Sequence, residues 1–251
     1  MGAHTFEAAR VKLQRISAEF QSKSSAFGFW STLRAFALGA IQRVIHFRVL
    51  HALYITTVEA TFAAVPAGLT ADFLDGAALE RMASDPKYDM TSEFLDDALR
   101  KGDECYAILD GGEPAAYGWY AHSPTLMSDG LRVQFDPAYV YMYKGFTLDA
   151  YRGRRLHAIG MTRALAAYRA RGYKGLVSYI ESDNLTSLKS ARRTGYVEFG
   201  RIFIIEILGR YLTLKTPGCA AFGFGVAPVS GNGHASHGAA APPDPMPVSE
   251  P

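Results

Sequence analysis

The sequence predicts an α/β fold of the α+β kind, with one mixed sheet at its centre, and three stretches carry that prediction. Tyr139 to His157, YVYMYKGFTLDAYRGRRLH, passes from a period-2 aromatic and β-branched run through a basic, glycine-containing turn into helical spacing. Glu104 to Leu109 and Pro114 to Tyr120 flank Asp110-Gly111-Gly112, a strong hairpin signal. Leu176 to Ile180 reads as a short buried strand, followed by a helical segment that Asn184 opens and Gly195 ends, then by a final hairpin.

Composition bounds the rest. The 251 residues are 49% apolar and 20% charged, which suits one folded domain with appendages. A net charge of +2, without a basic stripe or zinc-finger spacing, gives no reason to expect a nucleic-acid partner. Two cysteines set no disulfide framework: Cys105 lies in the apolar run CYAIL and Cys219 opens a flexible-looking tail. With no secretory signal and with Arg34, Arg43 and Arg48 interrupting the most hydrophobic region, a cytoplasmic location is expected.

In chain order, residues 1–50 form a basic arm, with seven Lys and Arg from Arg10 to Arg48 against Glu7 and Glu19. Leu33, Phe36, Ala37, Ala40, Ile41, Val44 and Ile45 follow helical spacing, so the arm is expected to be a helix that packs on the domain or docks a protein partner. Contact with an anionic membrane through Phe29, Trp30 and the arginines is the less favoured alternative. His46 and His51 lack the companions of a metal site, and none is expected. Residues 51–217 hold the domain. Within it Gly68 to Gly76 reads as loop, Ala77 to Ala83 and Ser92 to Lys101 as short helices, and Ala121 to Asp136 as a loop beside the substrate. Residues 218–251, rich in Gly, Ala, Ser and Pro, read as a disordered tail.

The chemistry points to the Tyr139–His157 stretch. Gly145 interrupts the strand alternation, as at a bulge or a place of close backbone approach. Arg152, Gly153, Arg154 and Arg155 precede Leu156 and His157 at a helix N-terminus, where free N–H groups and partial positive charge favour a phosphate.

Tyr151-Arg152-Gly153, together with the spacing of Asn184, Ser187, Gly195 and Tyr196, resembles the core of the GNAT superfamily of acyl-CoA N-acyltransferases. The pattern extends over roughly residues 70 to 210, with residue-level matches confined to Phe146–Tyr196. The resemblance implies a mostly antiparallel sheet with a splayed parallel strand pair. It also implies an acetyl-CoA or other acyl-CoA donor and a small-molecule or protein amine acceptor, with no metal. The pantetheine arm would run between the splayed strands near Phe146 and Thr147, with Asn184 and Ser187 beside it and the phosphates at Arg152–His157. Glu181 is the candidate base, and Tyr143 and Lys144 are candidates for orienting the acceptor. Two departures stand out: Arg155 and His157 occupy positions where the family has small residues, and Ala191 replaces a tyrosine that protonates the leaving thiolate. They leave open an acyl-carrier-protein donor, suited to the arginine cluster, and a non-catalytic module that recruits a protein partner.

Overall fold

The computed structural model describes Trp30 and residues 45–127 and 130–229. The chain divides into two units, one of Arg48–Phe203 with the residues from Thr213 on, the other of the residues up to Phe47 with Ile204–Leu212. In the described part of the second, His46 Nδ1 lies 3.5 Å from a Glu206 carboxylate oxygen.

The first unit holds the sheet. Its strands are β1 (Ile45–Ile55), β2 (Leu69–Phe73), β3 (Glu104–Asp110), β4 (Glu113–Ala121), β7 (Tyr139–Thr147), β8 (Gly175–Glu181), β9 (Val197–Ile207) and β10 (Arg210–Lys215), and β1, β9 and β10 run on into the second unit. They lie in the order β10-β9-β1-β8-β7-β4-β3-β2. The pairs β1–β8, β4–β7, β3–β4 and β2–β3 are antiparallel, and β7–β8 is parallel. This is the mostly antiparallel sheet with one parallel pair that the sequence led us to expect. The β3–β4 turn has Gly111 and Gly112 at φ 58° and 90°, a left-handed pair that suits the twist of a two-residue hairpin.

Helices cover both faces. On one side lie α1 (Gly76–Ala83), capped by the Asp75 carboxylate accepting from the Ala78 N–H, and α2 (Ser92–Arg100), capped by Thr91 accepting from Phe94. They bury Leu79, Met82, Leu95 and Ala98 with Tyr117 and Trp119 of the sheet. On the other side α3 (Leu156–Ala170) buries Met161, Leu165 and Tyr168 against Leu53, Tyr106, Val140, Met142 and Leu176. Then α4 (Leu185–Arg193) follows β8 and seats Leu188 in the interior. Each fully buried large apolar side chain contributes about 1.5–3 kcal/mol, so these two layers hold the strands that carry the site.

Four expectations need correction. Residues 69–73 are a strand, because β3 offers them an open edge and Leu69↔Asp110 to Phe73↔Tyr106 pair along it. Within the expected loop 121–136, β5 (Thr125–Leu126) and β6 (Leu131–Gln134) form a small sheet with β11 (Gly225–Pro228), ordered β11-β6-β5. The expected tail is therefore folded as far as β11. A 3₁₀ turn over Pro217–Phe222 buries Cys219 completely, and Phe222 stacks on Phe199 at 4.1 Å. Three anchors, Phe222, Phe224 and Val226, outweigh the Gly and Ala around them. Finally, Ile45 to Leu50 belong to β1, where Leu50 and Ala52 are fully buried, so His46 and His51 sit on a strand. The rest of the expected arm helix, the partner surface assigned to it except Trp30, and residues 230–251 lie outside the described residues.

Candidate active site

The site begins where the parallel pair comes apart. Tyr139, Val140 and Tyr141 pair with Gly175, Leu176 and Val177, and the ladder stops there. β7 continues to Thr147 and β8 to Glu181 with no ladder between them. At the apex Ser178 Oγ donates to the Met142 carbonyl at 2.8 Å, a side chain standing in for a ladder bond. On its other edge β7 stays paired with β4 through Thr147, but Trp119 faces Lys144 while Tyr120 faces Met142, leaving Tyr143 as the extra residue. Such a bulge bends one strand away from its neighbour. The expected irregularity at Gly145 thus lies two residues earlier, and Gly145 pairs regularly with Gly118. Glycine is required there for another reason. A Cβ on Gly145 would come within 2.3 Å of His157 Cε1 and 2.9 Å of its Nδ1.

Beyond β7 the chain turns through a 3₁₀ segment, Asp149–Tyr151, into α3. Gly153 has φ 78° and Arg155 φ 61°. For a residue with a Cβ the left-handed conformation costs about 1–2 kcal/mol, a cost that glycine would not carry at position 155. As N-cap, Arg155 makes no side-chain capping bond. The first N–H groups of α3, at Leu156, His157 and Ala158, thus point forward with no partner inside the helix. Arg152 is held by Asp149 at 2.9 Å, Arg154 lies over the Tyr151 ring, and the Tyr151 hydroxyl donates to Asp110 at 2.9 Å. The predicted residues Phe146, Thr147 and Arg152 to His157 are therefore gathered along one strand, turn and helix start. Phe146 packs on Tyr117 on the α1–α2 face, and Thr147 pairs with Ala116.

Across the opening, Asn184 caps α4 by accepting from the Ser187 N–H at 3.0 Å. Both follow directly on β8, as expected. Glu181, the candidate base, is ion-paired with Arg48 at 2.5 Å. The Tyr143 hydroxyl donates to Asp103 at 2.9 Å, and Lys101 binds the same carboxylate at 3.0 Å. Burial, then Asp103, pushes the Tyr143 hydroxyl far above its ordinary range, while burial raises the Asp103 carboxyl. Tyr143 is therefore turned toward Asp103 and serves as an anchor for the bulge. Lys144 pairs with Asp89 at 2.7 Å. Burial depresses the basicity of the His157 ring.

Sequence reasoning missed Arg48, Asp103, Ser178, Tyr141 and Tyr179. Tyr141 stacks between Tyr143 and Tyr179, and burial pushes the Tyr179 hydroxyl up to about 12. The period-2 tyrosines were a visible signal, but Arg48 and Asp103 lie 133 and 40 residues from their partners and leave no local trace. A cavity of about 610 Å³ lies elsewhere, lined by His51, Ser182, Leu185, Leu188, Lys189, Arg192 and Arg193. Leu185, Lys189 and Arg192 occupy the side of α4 away from Ser187 and Ala191. No group of His, Cys, Asp and Glu among the described residues could hold a metal, and none of the described helices is long and apolar enough to cross a membrane.

A GNAT-family protein from Novosphingobium aromaticivorans DSM 12444 is 17% identical over 69% of this chain and 67% of its own, with a TM-score of 0.45. A GCN5-related N-acetyltransferase from Sphaerobacter thermophilus is 16% identical over 71% of this chain and 58% of its own, with a TM-score of 0.48. No curated protein sequence matches. The family model described as the acetyltransferase (GNAT) family matches residues 71–196, from within β2 to the residue before β9 and across both strands of the opening. With half of its length matched, this chain belongs to the acetyltransferase (GNAT) family.

Proposed function

We propose that this protein is an N-acyltransferase that takes an acyl group, acetyl in the simplest case, from a coenzyme A thioester and passes it to an amine by direct attack. The single observation that carries the reading is the separation of β7 from β8 after Tyr141 and Val177, directly ahead of an uncapped helix start. The unladdered backbone of residues 144–147 would pair with the amide groups of the pantetheine arm. The N–H groups of Leu156, His157 and Ala158, with Arg152, Arg154 and Arg155 around them, would receive the pyrophosphate. Arg155 costs backbone strain where glycine would not, and returns a charged side chain beside the phosphates.

In the reaction the amine nitrogen attacks the thioester carbon, the carbonyl oxygen gains negative charge, and the carbon–sulfur bond then breaks. A backbone N–H on the open edge of β7 is suited to the developing oxyanion. Glu181 receives a narrower role than base. Tied to Arg48, it orients the acceptor beside the wall of Tyr141, Tyr143 and Tyr179.

Calorimetric titration with coenzyme A and acetyl-CoA, followed by a panel of primary amines, tests the reading. Saturable binding that weakens at least tenfold in Arg152→Ala is the expected result. Absence of binding to either compound, with transfer from an acyl carrier protein thioester instead, would replace the donor; no turnover with any donor would leave a binding module.

A further inference from the structure

The acyltransfer reading makes no use of the cavity of about 610 Å³ lined from α4 and β1. Its size falls within the range of small-molecule sites, ~300–1,000 Å³, and its wall has two parts. Leu185 and Leu188 form an apolar patch, and Leu185 is 71% exposed. Lys189, Arg192 and Arg193 bring three positive charges, none with an ion pair or hydrogen bond among the described residues. No carboxylate lines the cavity among those residues. The Glu198 carboxylate, 2.9 Å from His51 Nδ1, also accepts from Arg201 Nε at 2.8 Å and is already engaged.

The helix macrodipole favours cations in a last turn, which accounts for Arg192 and Arg193. It does not account for Lys189, nor for an exposed leucine on the same side. At about 100° per residue, Leu185, Lys189 and Arg192 fall within about 60° of one another, so the apolar patch passes straight into the cations. Lys189 stands three and four residues before Arg192 and Arg193. Like charges repel at that spacing, and an anion set among them relieves the repulsion.

We propose that this cavity binds a small amphipathic anion, a carboxylate or phosphate carried on an apolar body. The anionic group lies among Lys189, Arg192 and Arg193, where guanidinium forks match carboxylate and phosphate oxygens. The apolar body covers Leu185 and Leu188. Ser182 and His51 Nε2, which has no partner among the described residues, supply the remaining polar contacts. The site is separate from the donor's, since Ser187 and Ala191 occupy the other side of α4. Two stretches of the chain itself are rival occupants. Residues 1–44 carry six Lys and Arg against Glu7 and Glu19 and have the wrong sign, whereas residues 230–251 hold Asp244 and Glu250 and no Lys or Arg.

The test uses the full chain, with calorimetry and the backbone amide resonances of labelled protein. Octanoate and octyl phosphate, below their micelle concentrations, are expected to saturate one site and to move the amides of Ser182, Leu185 and Lys189 to Arg193. Their binding should weaken as salt rises. Octanol and inorganic phosphate each lack one half of the ligand and should bind at least about tenfold more weakly. Lys189→Gln and Arg192→Gln should each weaken octyl phosphate about tenfold, and Leu185→Ser about fivefold. All three positions are exposed, and thermal melts check that each variant is folded. Lack of saturable binding by both probes, octanol as tight as octanoate, or affinities unmoved in all three variants would overturn the proposal. Displacement of octyl phosphate by acetyl-CoA would also overturn it, by making the cavity part of the donor site. So would an affinity that rises in the double variant Asp244→Asn with Glu250→Gln, which would name residues 230–251 as the occupant.

Discussion

Substituting Gly145 by alanine puts the helix–strand contact under direct strain. The added Cβ would sit 2.3 Å from His157 Cε1, 2.9 Å from its Nδ1 and 2.9 Å from Met142 Cε. Restoring ordinary contact needs the ring to move by about 1 Å, and overpacking of this kind costs about 1–3 kcal/mol. The backbone of Gly145 is not left-handed, so alanine also restricts the unfolded chain and regains about 0.4–1 kcal/mol. The net expectation for Gly145→Ala is a loss of about 1–2 kcal/mol. In the double variant Gly145→Ala with His157→Ala the methyl enters space the ring has vacated, so the two effects should fail to add by about 1–2 kcal/mol. Urea unfolding of the four proteins, followed by tryptophan fluorescence, measures this. Gly145→Ala as stable as the parent, or strict additivity in the cycle, would refute the contact.

Three further outcomes follow from the same geometry. Asn184→Ala removes the cap of α4 and should cost about 1 kcal/mol, with Asn184→Ser recovering most of it in thermal melts. Tyr143→Phe leaves the buried Asp103 carboxylate with one partner fewer and should cost about 1–3 kcal/mol, whereas Lys144→Met, at a pair with an exposed aspartate, should change unfolding midpoints little. The His157 pKa is lowered on folding, so its contribution to stability is whole above the ordinary value near 6.5 and declines as pH falls from there through the folded value. Unfolding free energies from pH 8 to pH 4 should therefore decline less steeply in His157→Gln, and identical slopes would contradict a desolvated ring.

Much of this was legible in the chain, because local chemistry decided it. Asp110-Gly111-Gly112 can serve little but a tight hairpin, Asn184 is a helix cap by residue type, and the turn from Asp149 to Arg155 announces a helix start. What could not be read depends on distant partners. Arg48 meets Glu181 only because β1 lies beside β8, and Asp103 meets Tyr143 only because the chain leaves α2 below the bulge. The glycine at 145 was correctly singled out but for a different cause, since its neighbour His157 arrives from the next element. The stretch from Gly218 to Pro228 misled for a compositional reason: its three anchoring side chains are outnumbered by small residues, and their partners lie in β6 and β9.

The central claim is that an acyl-CoA lies between β7 and β8 with its phosphates at the start of α3. Backbone amide resonances of the labelled protein, titrated with acetyl-CoA, test it most directly. The account predicts that the largest shifts fall on Lys144 to Thr147 and on Leu156 to Ala158, saturating together. Shifts centred instead on Lys189, Arg192 and Arg193 around the cavity beyond α4, with residues 144–158 unmoved, would contradict it.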